Sequence, residues 1–213
     1  MKRVFSLGLS VLAVALFTVA ATKDKEEAAK RVGDPYTLKT CPVSGEALGS
    51  MGEAPVFLHE GREVRFCCGG CEKKYVDNAE AMNQKIDEQL IKDQESHYPS
   101  KTCINSGAEL KEGGVSFIVG NRLMKTCCDK CKAKVQADPA AFFAKLDQQV
   151  IEAQKADYKL DVCPVSGEKL GEDAVDIVVA NRLVKLCCAG CKKGVDKDPI
   201  ALLKKVDGEL ASE

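Results

Sequence analysis

Cysteine is the residue type whose number and spacing in this chain point to chemistry. All twelve cysteines follow one pattern, an isolated cysteine followed after 23 or 25 residues by Cys-Cys-x-x-Cys, which occurs three times. The three sets are Cys41, Cys67, Cys68 and Cys71, then Cys103, Cys127, Cys128 and Cys131, then Cys163, Cys187, Cys188 and Cys191. Because soft thiolates select zinc or copper(I) over hard cations, we predict that each set binds up to one ion of zinc, or alternatively of copper(I).

The Cys-Cys-x-x-Cys segment leaves the number of thiolates in each site open between three and four. Cys67 and Cys71 are spaced i, i+4, and Cys68 and Cys71 are spaced i, i+3, so either pair shares one face of a helix that begins there. A helix N-terminus also lowers the pKa of a thiol, which favours the thiolate that a metal binds. Cys67 and Cys68, however, point about 100° apart around such a helix. All four sulfurs therefore bind the metal only if the Cys-Cys pair lies at a bend before the helix.

The isolated cysteine of each set opens a motif that looks like half of a zinc knuckle, a tight turn that aims a sulfur at the metal. Cys41-Pro42-Val43-Ser44-Gly45 returns in similar form at residues 103–107 and 163–167. A full knuckle would have its second cysteine where this chain has Ser44, Ser106 and Ser166. At this position, each site therefore has a hydroxyl group in place of a thiolate. A site with three thiolates and an open position suits copper(I) or exchangeable zinc.

Disulfide bonds are the alternative interpretation of the same cysteines. Each set holds an even number of cysteines, and an exported chain meets oxidising conditions. A bond within a Cys-Cys pair is strained, whereas Cys41 could pair with one member and Cys71 with the other. The knuckle-like turn that faces Cys-Cys-x-x-Cys favours the metal over disulfides.

A β-hairpin is predicted before each Cys-Cys pair, and it recurs with the same period of about sixty residues. The first strands are expected at 56–59, 116–119 and 176–179, and the turns at 60–61, 120–121 and 180–181. Gly or Asn in each turn supplies the positive φ that a tight hairpin needs. His59 matches Val119 and Val179 in this strand, so we interpret it as a strand residue rather than a ligand.

A helix is predicted after the last cysteine of each set. Asp138-Pro139 and Asp198-Pro199 place a capping Asp before Pro at the first helical position, and Asn78 can cap in the first copy. Apolar residues spaced i, i+4, i+8 then mark a buried face. They are Met82, Ile86 and Leu90; Phe142, Leu146 and Val150; and Leu202, Val206 and Leu210. The sequence therefore predicts a small α+β fold of three tandem units, each with a knuckle, a β-hairpin and one or two helices.

Residues 1–21 have the features of a secretory signal peptide. Lys2 and Arg3 precede an uncharged apolar stretch that ends in small residues up to Ala21. The alternative is an uncleaved anchor, since about eighteen apolar residues barely span a bilayer. We predict cleavage and a periplasmic or otherwise extracytoplasmic location, with membrane attachment only if the leader is uncleaved. A linker is expected at 22–35, followed by metal-binding repeats at 36–95, 96–157 and 158–213.

The repeated unit resembles the YHS and TRASH-type metal-binding domains, small treble-clef-like units found in heavy-metal handling proteins and attached to copper-transporting ATPases. The resemblance rests on Cys-Pro-Val-x-Gly, the hairpin, Cys-Cys-x-x-Cys and the following Asp-Pro, and it covers nearly all of residues 36–213. It implies a treble-clef-like fold and metal binding or sensing, with Cys41, Cys67 and Cys71 and their counterparts as principal ligands. The second knuckle cysteine and the name-giving Tyr-His-Ser motif are absent from this chain.

Charge and composition narrow the classes of function. The formal net charge is −1, and the Lys-rich stretches lie beside acidic residues, so no nucleic-acid partner is expected. The two residues inside Cys-x-x-Cys differ in each copy, which argues against a thiol redox enzyme. We therefore predict a non-enzymatic protein of the cell envelope that buffers, carries or senses zinc or copper(I). The alternative is a structural repeat module, held by zinc or disulfides, whose surface binds another envelope protein.

Overall fold

A computed structural model describes residues 30–111 and 114–208 of the chain. Within them, each predicted repeat contains a two-stranded antiparallel hairpin followed by helices, which confirms the small α+β class. In these two ranges, no helix has the length and hydrophobicity that crossing a membrane requires. The predicted signal peptide and residues 22–29 of the predicted linker lie outside the described residues.

Repeat 1 shows the element order that the other repeats share. Its elements are β1 (Val56–His59), β2 (Arg62–Arg65), α1 (Cys71–Val76), α2 (Ala79–Gln94) and a 3₁₀ turn (Glu95–His97). β1 and β2 pair antiparallel, with His59 opposite Arg62. Glu60 and Gly61 between them have φ of 50° and 80°, as the two central residues of a type I′ turn require. The predicted hairpin and its turn are therefore confirmed.

Repeats 2 and 3 follow the same order, with differences at the helix starts. Their elements are β3 (Val115–Val119), β4 (Arg122–Thr126), α3 (Asp129–Ala137) and α4 (Pro139–Gln154), then β5 (Val175–Val179), β6 (Arg182–Leu186), a 3₁₀ turn (Ala189–Cys191), α5 (Lys192–Lys197) and α6 (Pro199–Val206). The Asp198 carboxylate accepts a hydrogen bond from the Ala201 N–H at 2.9 Å, so the predicted cap of α6 is confirmed. Asp138 and Asn78 occupy the predicted N-cap positions of α4 and α2, but neither side chain makes the capping hydrogen bond, and that of Asn78 donates to the Lys74 carbonyl instead.

The predicted i, i+4, i+8 stripe closes the core of each repeat. Ile86 and Leu90 of α2 are buried with Tyr36, Phe66 and Tyr75 in repeat 1. The corresponding helix residues in the cores of the other repeats are Phe142, Leu146 and Val150, and Leu202 with Val206. The last predicted stripe residue, Leu210, lies outside the described residues.

Each sixteen-residue helix ends on the hairpin of the next repeat. The fully buried Gln94 side chain, at the end of α2, donates to the Asn121 carbonyl at 2.8 Å and accepts from the Leu123 N–H at 2.8 Å. Gln154, at the end of α4, makes the same two bonds to the turn and return strand of repeat 3, at 2.9 and 2.8 Å. Because each amide uses both its donor and its acceptor on one turn, these bonds fix how one repeat sits on the next.

The hairpin turns also contact one another through their asparagines. The Asn121 amide donates to the Glu63 carbonyl in β2 at 2.8 Å, and the Asn181 amide donates to the Leu123 carbonyl in β4 at 3.1 Å. Both asparagines are fully buried and have positive φ. One residue type therefore forms the turn within a repeat and the contact between repeats.

Within each repeat, the arginine that begins the return strand pairs with an aspartate that lies in the last helix or, in repeat 3, directly after it. The pairs are Arg62 with Asp87, Arg122 with Asp147, and Arg182 with Asp207. Burial raises the pKa of the Asp87 and Asp147 carboxyls, and the arginine partners oppose that rise. These pairs join the two halves of each repeat, the hairpin and the last helix.

The described end of the predicted linker is packed between hairpins. Asp34 is 4% exposed, and its Oδ2 accepts from Arg122 Nε at 2.8 Å and from the Ala180 N–H at 2.6 Å. Gly33 has φ of 73°, and a Cβ at this position would lie 2.3 Å from the Gly120 carbonyl oxygen. Residues 31–35 therefore belong to the folded unit, because one carboxylate ties the chain that enters repeat 1 to repeats 2 and 3.

Asp34→Asn is expected to lower the free energy of unfolding by about 1.5–3 kcal/mol, because it removes one of the two carboxylate partners of the buried Arg122 guanidinium, which keeps Asp147. Chemical denaturation of the reduced, metal-free chain measures this change. The control is Asp77→Asn, which removes the exposed Lys73–Asp77 pair and should cost at most about 1 kcal/mol. Equal losses from the two substitutions would contradict the role given to Asp34.

Candidate metal centre

Three cysteine sulfurs converge in each repeat, and we call each group a thiol triad. The triads are Cys41, Cys67 and Cys71; Cys103, Cys127 and Cys131; and Cys163, Cys187 and Cys191, with the Sγ atoms of each within 4.8 Å of one another. The second and third sulfurs of each triad are 3.7, 3.7 and 3.5 Å apart in repeats 1, 2 and 3. Two sulfurs bound to one tetrahedral zinc at about 2.3 Å lie about 3.8 Å apart. Each triad therefore has the spacing of a metal site.

The isolated cysteine of each triad is held by its own turn. In repeat 1, the Cys41 N–H donates to the Glu46 carbonyl at 2.8 Å, and the Gly45 N–H donates to the Cys41 carbonyl at 2.9 Å. Gly45 has φ of 78°, which lets the chain reverse without the strain that a Cβ would cause. The same two bonds recur in repeats 2 and 3. The turn that the half-knuckle motif predicts therefore forms three times.

The Cys-Cys pair lies at a bend before the following helix. α1 begins at Cys71, α3 begins at Asp129, and a 3₁₀ turn beginning at Ala189 precedes α5. At this bend the first cysteine of the pair joins the triad. The helical spacing left open whether the first or the second cysteine of the pair is a ligand. In the structure, the first cysteine, Cys67 or its counterpart, lies close to the other sulfurs.

The second cysteine of each pair stands at the edge of the triad, and we call its side chain a rim thiol. Cys68 is half-buried, whereas Cys128 and Cys188 are exposed. The rim sulfur lies 3.9 Å from Cys71 Sγ in repeat 1, 3.8 Å from Cys127 Sγ in repeat 2 and 3.9 Å from Cys191 Sγ in repeat 3. Three of the four cysteines predicted as ligands in each repeat thus form the triad, and the fourth lies beside it.

The serine that replaces the second knuckle cysteine touches the triad. The distances from its Oγ to the first sulfur of the pair are 3.2 Å for Ser44 and Cys67, 3.6 Å for Ser106 and Cys127, and 3.3 Å for Ser166 and Cys187. In each pair, either the hydroxyl or the thiol can donate the hydrogen bond. The serine therefore contacts a triad sulfur from the position where a full zinc knuckle would have its second cysteine.

The isolated cysteine is the most acidic member of each triad for which a pKa is resolved. Burial raises the pKa of the Cys163 thiol, but hydrogen bonds from the Ser166 hydroxyl and from backbone N–H groups lower it further, to about 6. The same balance lowers the pKa of Cys103 to about 6 and that of Cys41 to about 7. Each triad therefore holds one thiolate close to neutral pH.

One further thiol of each triad has a pKa well above the ordinary value. Burial and the neighbouring thiols raise the pKa of Cys71 to about 12. The Ser166 hydrogen bond lowers the pKa of Cys187, but burial and nearby acidic groups raise it, to about 12. The Ser106 hydrogen bond lowers the pKa of Cys127, but Cys131 and Cys103 raise it, to about 11. Metal binding near neutral pH must therefore release a proton from Cys71, Cys127 and Cys187.

The three triads differ in burial and in their polar neighbours. All three cysteines are buried in repeat 1, whereas Cys163 alone is buried in the triad of repeat 3. The Asn105 amide donates to Cys131 Sγ at 3.2 Å in repeat 2, and Cys187 Sγ donates to Glu168 Oε2 at 3.3 Å in repeat 3. Neither neighbour was predicted from the sequence: Asn105 stands inside the knuckle motif where the other copies have Val43 and Val165, and Glu168 directly follows the motif, where repeat 1 has Glu46 and repeat 2 has Ala108.

His59 lies in β1, as the sequence predicts. Its ring contacts the edge of Tyr75 with centroids 5.5 Å apart and stacks near Phe57 at 6.1 Å. Among residues 30–111 and 114–208, the groups with metal-ligand spacing consist of cysteines alone. His59 thus has a packing role.

Comparisons with protein-family models, with curated proteins and with solved structures give no match to this chain. The resemblance to YHS and TRASH-type domains stays a prediction from the motifs.

The reduced, metal-free chain is expected to form at least three thiolates between about pH 5 and pH 8, where an ordinary thiol stays mostly protonated. The reason is the lowered pKa of Cys41, Cys103 and Cys163, at about 7, 6 and 6. Ultraviolet absorbance of the thiolate measures the titration. Ser106→Ala should move one of these steps to higher pH, because it removes a hydrogen bond to the Cys103 thiolate. An unchanged titration curve would contradict the serine's role.

Proposed function

We propose that this chain is an exported, non-enzymatic metal-binding protein that buffers, carries or senses zinc, or alternatively copper(I), with one ion in each thiol triad. The observation that carries the proposal is the convergence of three sulfurs within 4.8 Å in every repeat. Three thiols close to one another, one of them ionised near neutral pH, are a donor set that soft or borderline metals fill. Export rests on the predicted leader, and the absence of catalysis rests on the sequence argument against a redox pair.

The donor sets favour zinc in repeat 3 and suit either metal elsewhere. Three thiolates with an open position accept zinc or copper(I). In repeat 3, the Glu168 carboxylate lies 3.3 Å from Cys187 Sγ and thus borders the open side. A carboxylate oxygen is a normal zinc ligand and a poor partner for copper(I), so it supports zinc at this site.

Buffering or carriage is favoured over a purely structural role for the metal, because the fold has other supports. The buried core around repeat 2 consists of aliphatic and aromatic residues and methionine, whereas the cores of repeats 1 and 3 also include triad cysteines. Gln94, Gln154 and Asp34 connect the repeats through hydrogen bonds that involve no sulfur. A metal that is not needed to hold the fold can be surrendered without unfolding the chain.

Metal binding is also favoured over disulfides by the arrangement of the sulfurs. All twelve cysteines are free thiols in the structure. Three sulfurs at mutual distances of a few ångströms can all bind one metal ion, whereas disulfides would divide the triad, with one of its sulfurs paired to the rim thiol. The triad geometry therefore supports a metal site, with disulfides as the state expected after oxidation of the metal-free chain.

The reduced chain is expected to bind three equivalents of zinc, and Cys67→Ser to bind two, because the substitution removes a triad sulfur from repeat 1. Elemental analysis of the purified protein, with free thiols counted on the same sample, measures both numbers. Cys68→Ser is the matched variant at the neighbouring position, and it should retain three equivalents. A wild-type chain that contains no metal and no free thiol would contradict the proposal.

Stripping the metal with a chelator should leave the helices folded. The bound metal adds stability in proportion to its affinity and concentration, so the unfolding temperature should fall while cooperative unfolding persists. Circular dichroism before and after chelation measures both. Loss of the helical signal on chelation would instead indicate structural zinc sites, whose folding depends on the metal.

A further inference from the structure

The rim thiols are repeated in all three copies although the triads are complete without them. Cys68, Cys128 and Cys188 each directly follow a triad cysteine, and the two residues after them change from Gly-Gly to Asp-Lys to Ala-Gly. The cysteine is therefore kept where its neighbours are not. We infer that a thiol repeated at the same position beside each candidate metal site has a role connected with the metal.

The distance from rim to triad allows one metal ion to touch both. A metal that bridges two sulfurs at about 2.3 Å each can span sulfurs up to about 4.6 Å apart. The rim sulfur lies 3.8–3.9 Å from its nearest triad partner among Cys71, Cys127 and Cys191. An ion can therefore pass from the triad to the rim while one triad sulfur still holds it.

The buried triad and the rim thiol, between which the ion would pass, differ in their exposure to solvent. The isolated triad cysteines Cys41, Cys103 and Cys163 are at most 1% exposed, whereas Cys128 and Cys188 are exposed and Cys68 is half-buried. A ligand that approaches from solvent meets the rim thiol before the isolated cysteine. The exposed position also argues against a permanent fourth ligand, which would be drawn in among the buried sulfurs.

We propose that Cys68, Cys128 and Cys188 are transfer ligands, which pass the metal between the triad and an external thiol-bearing acceptor. The inference rests on the proposed function, since it requires an ion in the triad. The rim thiol releases its proton to the solvent and forms a metal–sulfur bond, while the metal–sulfur bond to the isolated cysteine breaks and leaves that sulfur as a thiolate. Acceptor thiolates then replace the remaining protein sulfurs one at a time, and the released sulfurs with a raised pKa take up protons from the solvent. The metal keeps its oxidation state throughout, so no oxidant or reductant takes part.

A transfer ligand has a signature that a permanent ligand lacks. It lowers the barrier between the bound and released states without stabilising either state, so it speeds binding and release by the same factor and leaves their ratio unchanged. A permanent ligand stabilises the bound state, so its removal weakens binding and speeds release. The two roles therefore predict opposite changes in the release rate.

The test compares the full wild-type chain with Cys68→Ser/Cys128→Ser/Cys188→Ser, each loaded with three equivalents of Zn²⁺ in oxygen-free buffer. Release to the chromogenic chelator pyridylazoresorcinol is followed by stopped flow, and affinity is measured by equilibrium competition. The triple variant is expected to release zinc about tenfold more slowly, which corresponds to about 1.4 kcal/mol of barrier, with affinity changed by less than about threefold.

A second variant and a control keep the outcomes distinct. Cys128→Ser/Cys188→Ser changes only the exposed rim thiols, and it should slow release of two of the three equivalents. Faster release with weaker binding in either variant would show a permanent fourth ligand and overturn the inference, as would unchanged rates. Failure of the wild type to bind zinc would overturn the proposed function itself, and Cys67→Ser, which should lose one equivalent, confirms that the assay detects a triad ligand.

Discussion

The paired hydrogen bonds of Gln94, repeated at Gln154, are the contacts on which the arrangement of the repeats depends. A unit of about sixty residues with one two-stranded sheet has little core of its own. Each glutamine amide joins the end of one repeat to the turn of the next, and Gln94 does so in a fully buried site. At the first hairpin, the Val32 N–H donates to the Gly61 carbonyl at 2.8 Å and takes the part that the glutamine plays elsewhere. All three turns are therefore satisfied by the chain segment that precedes them.

In repeats 2 and 3, contacts with the last helix hold the knuckle turn that carries the isolated cysteine. The Lys145 ammonium donates to the Ile104 carbonyl at 2.7 Å, and the Lys205 ammonium donates to the Pro164 carbonyl at 2.9 Å. These bonds tie the last helix of repeats 2 and 3 to the knuckle turn, and the same helix pairs with the hairpin through its aspartate. The isolated cysteine is thus anchored to both halves of its repeat, whereas the Cys-Cys pair lies at a bend that faces outward. A buried anchor opposite a more exposed pair is the asymmetry that the transfer proposal uses.

Local sequence signals predicted the repeated parts correctly because their causes are local. Positive φ at the turn, Pro at the start of α4 and α6, and the apolar helix stripe each act within a few residues. The residues that Asp34 contacts, Arg122 and Ala180, lie 88 and 146 positions away in the sequence. The sequence around Asp34 therefore does not predict these contacts. For the same reason, sequence spacing alone could not decide between Cys67 and Cys68. The choice depends on how the bend before the helix packs, which is set by the hairpin beneath it.

Three copies of one unit do not give three identical sites. The triads become less buried from repeat 1 to repeat 3, and the polar neighbours that distinguish them lie in the knuckle rather than in the scaffold. An amide that donates to Cys131 reduces the charge that this sulfur offers a metal, whereas the Glu168 carboxylate adds negative charge beside Cys187. Because the contacts between repeats use other residues, the sites are free to differ without disturbing the fold. We therefore expect the three triads to differ in metal affinity, which one site repeated three times would not do.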